Sequence, residues 1–198
     1  MRNLLTCLSH TYWGIALLLA PGVMIQTFAQ NSHLTFTNYT INDGLSDGLV
    51  NCVTQDQQGF IWFGTSDGLD RFDGYEFRDF YHNPFDSTSL SDNSITALFS
   101  DSRGQLWIGT LNGGINLLDR WHNKFLHFLP PRKNRGNATD NYIKCIAEDK
   151  KGNLWLAAGD DGLYEFVFSG KMKGHIQVPD KVIHYAHQAN DAGSLVSN

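Results

Sequence analysis

Three carboxylates return at a fixed place in this sequence. Asp56, Asp101 and Asp149 each open a D-x-x-G stretch, and each stands six residues ahead of a tryptophan, Trp62, Trp107 and Trp155. Paired carboxylates on either side of a bond are the equipment of glycoside hydrolysis. A residue that recurs once per repeat builds the repeat, however, whereas a catalytic pair is unique in its chain. The unrepeated acids Asp67, Glu76, Asp79, Asp161 and Glu165 fall in no recognisable motif. Phosphate-binding loop, zinc spacing and nucleophile elbow are all missing from the sequence, so no cofactor and no metal is expected. His184 and His187 lie three apart in a strand-like run, which points them to opposite faces and makes them a poor metal pair.

Binding chemistry is better represented. A sugar ring wants a flat aromatic surface flanked by polar groups. Trp121 lies outside the repeated tryptophan position, in D-R-W-H-N-K-F between two strand-like runs, with Arg120 and His122 as neighbours. Arg71 and Tyr164 follow two of the Gly-Leu turns, at positions where the copies differ. Trp121, Arg120, Tyr164 and Arg71 are therefore the candidate ligand-binding residues.

The elements that must hold them are the repeats themselves. The segments beginning at Asp56, Asp101 and Asp149 align, with their tryptophans 45 and 48 residues apart. A period in the forties with strand patterning means the four-stranded blades of a propeller. Gly59, Gly104 and Gly152 close tight turns, with the Asp side chain accepting from the turn backbone. The tryptophan strands are apolar on both faces, as blades covered on both sides require. The third copy has Ala157-Ala158 where the others have Gly-Thr, and an excess between Ser169 and Asp180 that reads as an inserted loop. Gly193 to Asn198 resembles Thr88 to Asn93, which opens the second copy. The expected fold is all-β, a partial β-propeller of about three four-stranded blades plus the start of a fourth. The repeats are placed near 46–90, 91–139 and 140–192 within a domain over 30–198. An open arc of this kind would expose strand edges and the faces of its end blades, both liable to association.

Residues 1–29 read as a signal peptide. Arg2 supplies the positive end, Trp13 to Ile25 is too short for a bilayer span and is broken by Pro21, and Thr27-Phe28-Ala29 suits cleavage before Gln30. Cleavage there would move the net charge from −5 to −6, because only Arg2 is lost. An acidic chain argues against nucleic acid, which needs a basic face. Arg132, Lys133 and Arg135 read as a solvated loop. Cys52 and Cys145 occupy equivalent positions in different copies, too far apart for the ~6 Å a disulfide allows, and are expected to be buried free thiols. Two glycosylation sequons, at Asn38 and Asn137, are read as chance matches.

The pattern D-x-x-G-x-[LI]-W-[FIL]-G-T-x-x-G-[LI] resembles the two-component regulator propeller repeat, over nearly the whole chain after residue 30. That resemblance implies the periplasmic sensor of a bacterial hybrid two-component system, in which propellers precede a β-sandwich, an inner-membrane helix and a histidine kinase. It implies sensing of a small-molecule ligand, an oligosaccharide above all, by a membrane-anchored homodimeric parent. No kinase segment is present, so this chain is expected to be a non-enzymatic fragment. Two other readings stay open: a secreted scaffold for protein–protein interaction, and a polysaccharide-degrading propeller enzyme.

Overall fold

A computed structural model describes residues 35–128, 141–159, 161–187 and 194–195. The proposed signal peptide, the Arg132–Arg135 patch and the Asn137 sequon lie outside the described residues. Residues Asn38–Asn198 form one compact unit, and the description that follows concerns that unit.

Three antiparallel meanders make up the unit. The first sheet runs β1 (Val50–Gln55), β2 (Ile61–Thr65), β3 (Gly68–Phe72) and β4 (Phe77–Phe80). The second runs β5 (Ile95–Ser100), β6 (Leu106–Thr110), β7 (Ile115–Asp119) and β8 (Lys124–Phe128). The third joins β9 (Ile143–Glu148), β10 (Leu154–Ala158) and β11 (Gly162–Val167) to β14 (Lys181–Tyr185). Between its last two strands sits a separate hairpin, β12 (Met172–Lys173) with β13 (Ile176–Gln177). The inserted stretch is therefore ordered structure. Ile176 and Val178 bury into the core beside Trp107 and Phe166, and the Gln177 backbone exchanges hydrogen bonds with the Gln105 side chain at 2.7 and 3.0 Å.

The repeated Asp does two jobs. One oxygen of Asp56 accepts from the amides of Gln58 and Phe60 at 2.9 and 3.1 Å, closing the turn around Gly59, whose φ is 91°. The other accepts from the Trp62 indole at 2.6 Å. Asp101 and Asp149 repeat both bonds, with indole distances of 3.0 and 3.3 Å. Each turn is thereby tied to the tryptophan that anchors the next strand. The second turn is closed by Thr65 and Thr110, whose hydroxyls donate to the carbonyls of Gly68 and Gly114 at 2.9 and 3.0 Å. Ala158 cannot do this, yet it still pairs with Gly162, so the third sheet survives the substitution.

Burial follows the number of neighbours. Every residue of β6 is buried, because the second sheet is covered on both sides. In β10 only alternate positions are buried, and in β2 Ile61 and Phe63 stay partly exposed. The same asymmetry separates the cysteines. Cys52 is half-buried, packed against the cluster that holds Ile95 of the second sheet, and burial pushes its thiol up to about 11. Cys145 is exposed, contrary to the expectation of two buried thiols, because among the described residues no further sheet covers β9. Both are unbridged.

In the first two sheets one inward residue of the third strand, Asp70 or Asn116, ties down the loop entering its blade. Ser46 donates from its amide and hydroxyl to Asp70 at 3.1 and 2.9 Å. Ser91 and Asn116 make the matching pair in the second sheet, at 3.0 and 2.8 Å. Asp70 is fully buried, its other oxygen has no protein partner among the described residues, and Asp79 lies opposite it on β4. Burial raises Asp70 to about 6, with the Asp79 charge adding to the rise and the Ser46 bonds opposing it. The folded state therefore holds this proton more tightly than the unfolded chain. That contribution to stability is present below pH 4 and is lost as pH rises through 6. Asp70→Asn should remove the loss, gaining about 2 kcal/mol on the parent between pH 4 and pH 7.5. Urea unfolding at the two pH values measures it, and parallel pH profiles for variant and parent would disprove it.

Candidate functional site

In a meander, the turns joining first to second and third to fourth strands emerge at one end of the sheet. At that end of the first two sheets lies a cavity of about 340 Å³ lined by Gln58, Trp62, Arg71, Leu118, Arg120, Trp121 and Asn123. Gln58 comes from the turn after β1, Arg71 from β3, and Arg120, Trp121 and Asn123 from the turn between β7 and β8. That last turn is held from within. Asp119 accepts from the Trp121 amide at 3.1 Å and from the His122 ring at 2.7 Å, and Asn123 takes a left-handed φ of 52°. A fixed turn presents Trp121 outward, with 76% of it exposed.

Arg120 reaches back across the sheets. Its guanidinium donates to Asp56 at 2.7 Å, on the oxygen that also takes the Trp62 indole, and lies 5.7 Å from that ring. Burial works against charge on Asp56, but the Trp62 indole and the Arg120 guanidinium hold its carboxyl below the usual range. The corresponding arrangement at the next junction is permuted. Asp101 is paired by Arg103 of its own turn at 2.9 Å, and Arg103 stacks 4.0 Å over Phe168, which occupies the place Arg120 has in the second sheet. Arg71 differs from both. Its guanidinium lies 4.5 Å over the Phe60 ring and has no ion pair or hydrogen bond among the described residues.

Three of the four sequence candidates thus meet in one cavity: Trp121, Arg120 and Arg71. Tyr164 does not join them. It is fully buried in the third sheet, its ring stacked at 4.3 Å on His184 and its hydroxyl bonded to Asp161. It holds the inward position that Asp70 and Asn116 hold elsewhere, and strand alternation, not nearness to a turn, sets that direction. Sequence reasoning missed Gln58 and Asn123, which carry no motif. It also missed His175, whose ring lies 5.3 Å from that of Trp121 at the tip of the inserted hairpin. The length of the third copy was the available signal for it. Among the described residues the lining holds amides, guanidiniums, indoles and a leucine but no carboxylate, thiol or imidazole. Such a set can bind and orient a ligand. Among the described residues no group of His, Cys, Asp and Glu could hold a metal ion.

A family description, the two component regulator propeller, matches residues 44–67, 89–112 and 137–160. Each match enters the sheet through its first strand and ends just past the tryptophan strand. The chain is built of two-component regulator propeller repeats. Its sheets are the blades of a partial propeller. The extracellular domain of a Bacteroides thetaiotaomicron hybrid two component system superposes with a TM-score of 0.58 at 28% identity, over 66% of this chain and 18% of the other. A second such domain from the same organism gives 0.57 at 26%, over 77% and 21%. "Histidine kinase P4" of Formosa agariphila is 48% identical over 62 residues, which are 31% of this chain and 4% of the relative. The propeller chain therefore spans about a fifth of the solved domains, and its match to the kinase covers a far smaller part of that protein.

Proposed function

We propose that this chain is a ligand-sensing part of an extracytoplasmic two-component sensor and that it takes an oligosaccharide in the cavity between its first two blades. The repeats and their relatives among extracellular domains of two component systems support the sensing role. The observation that carries the ligand class is the exposed Trp121 indole, set beside Arg120 and Arg71 in a cavity without a carboxylate. In this reading residues 1–29 direct the chain to the periplasm and are removed. A kinase and a membrane anchor in a dimeric parent turn occupancy into signal. The propeller itself does no chemistry.

A glycan array probed with the full chain tests this directly. Fragments that bind should bind about tenfold more weakly to Trp121→Ala, a loss of about 1.4 kcal/mol. The same variant should stay within about 0.5 kcal/mol of the parent in stability, since the ring is mostly solvated. The scaffold reading has one observation in its favour: Tyr75 and Phe85 are each 97% exposed, on the turns flanking β4. Retention of a protein partner that is lost on Tyr75→Ser, with an empty glycan array, would replace the sensing reading by that one.

A further inference from the structure

We infer that the saccharide unit held between the first two blades is acidic, bearing a carboxylate or a sulfate ester that pairs with Arg71. The inference rests on the sensing reading above and narrows its ligand. Among the described residues two guanidiniums line the cavity and no acid does. One of them, Arg120, is already neutralised by Asp56 at 2.7 Å. Arg71 has no ion pair among the described residues and feels only the charge of the exposed Asp73, two residues on. The chain as a whole is acidic, at −5, so this positive lining is a local feature and not a general surface property.

The donors themselves point the same way. Nε of Arg71 and Nη2 of Arg120 are both buried, and neither has a hydrogen-bond partner within the protein among the described residues. A buried donor left without a partner costs about 1–3 kcal/mol. Two such donors on residues that line one cavity are satisfied together by an oxyanion, which accepts from planar guanidinium forks with matched geometry. Phe60 fixes the Arg71 plane from behind, so little side-chain freedom remains to be lost on binding. Trp121, extended by His175 at 5.3 Å, supplies the flat wall for the ring that carries the acid. Asn123 and Gln58, whose side-chain oxygen already accepts from Arg120 at 3.4 Å, are placed to meet hydroxyls.

Calorimetric titration of the full chain with three hexasaccharides decides the matter: oligogalacturonate, sulfated carrageenan and neutral cellohexaose. At least one acidic fragment should bind and cellohexaose should not, and raising salt from 0.15 to 0.5 M should weaken binding severalfold. Uronate-only binding assigns a carboxylate, and carrageenan-only binding assigns a sulfate. Arg71→Gln should weaken the acidic fragment about tenfold or more, and Arg71→Lys should recover part of that loss while both unfold at the parent's temperature. Cellohexaose binding as tightly as the acids, or Arg71→Gln binding like the parent, overturns the acidic assignment and leaves oligosaccharide sensing standing. Binding of none of the three overturns both.

Discussion

Trp107→Ala is expected to destabilise the full chain by about 4 kcal/mol in urea unfolding, the range for truncating a fully buried aromatic. Trp107 is wholly buried at the junction of the second and third blades, with the rings of Phe128, Phe166 and Phe168 at 5.7 to 6.0 Å. Truncation opens a cavity between two sheets whose backbones are tied at many other points, so the site cannot collapse to fill it. It also takes the indole donor from Asp101, a carboxylate that is 1% exposed. Trp155 is the control. It occupies the same place in the third repeat, bonded to Asp149 at 3.3 Å, but it is only half-buried and stacks on Tyr185, which is itself exposed. Trp155→Ala should cost about half as much. Equal losses at the two positions would mean that the tryptophan acts through its own turn alone and that packing between blades contributes little.

The repeat was legible because it is local. An Asp, a Gly and a Trp within seven residues close a turn and start a strand, and nothing outside that window is needed to recognise them. Trp121 and Arg120 were legible for the converse reason, as residues that break the repeat. What could not be read was set by distance in the chain. The bond from Arg120 to Asp56 spans 64 residues. The docking of Gln177 on Gln105 spans 72 and turns an apparent loop into a clamped hairpin. Tyr164 followed a Gly-Leu turn as Arg71 does not quite do: they differ by one position in register, 164 aligning with Asp70, and a single step along a strand exchanges the inside for the outside. Cys145 failed for another reason. Its burial depends on a neighbouring blade, and equivalence in a repeat carries no information about neighbours.

The same dependence gives the repeated Gly-Thr pair a meaning that its place near a turn conceals. The Thr makes the turn, while the Gly makes room for the next blade. A Cβ on Gly109 would stand 2.8 Å from Cβ and Cγ2 of Ile143 and 3.1 Å from Cβ of Ala97. On Gly64 it would stand 2.5 Å from Cγ2 of Ile95 and 2.6 Å from the Cys52 sulfur. In each case the obstruction is a β-branched residue in the first strand of the following blade, stiff at χ1 and wholly buried. Gly109→Ala should therefore destabilise by about 2–3 kcal/mol through overpacking. A strand glycine replaced by alanine without obstruction gains about 0.5–1 kcal/mol, so the sign of the change is itself the test. Ile143→Ala should also destabilise on its own, but the double variant should fall short of the sum by 1 kcal/mol or so, because the second substitution clears space for the first. Ala157 occupies the equivalent position in the third repeat, paired with Cys145 as Gly109 is with Ala97, and among the described residues no further sheet follows to supply the wall that Ile143 supplies to Gly109. Ala157→Gly should accordingly cost about 0.5–1 kcal/mol, so that alanine is the better residue at 157 and glycine the better one at 109. Additive effects at Gly109 and Ile143, or a stabilising Gly109→Ala, would remove close approach between blades as the reason for glycine at this place in the repeat.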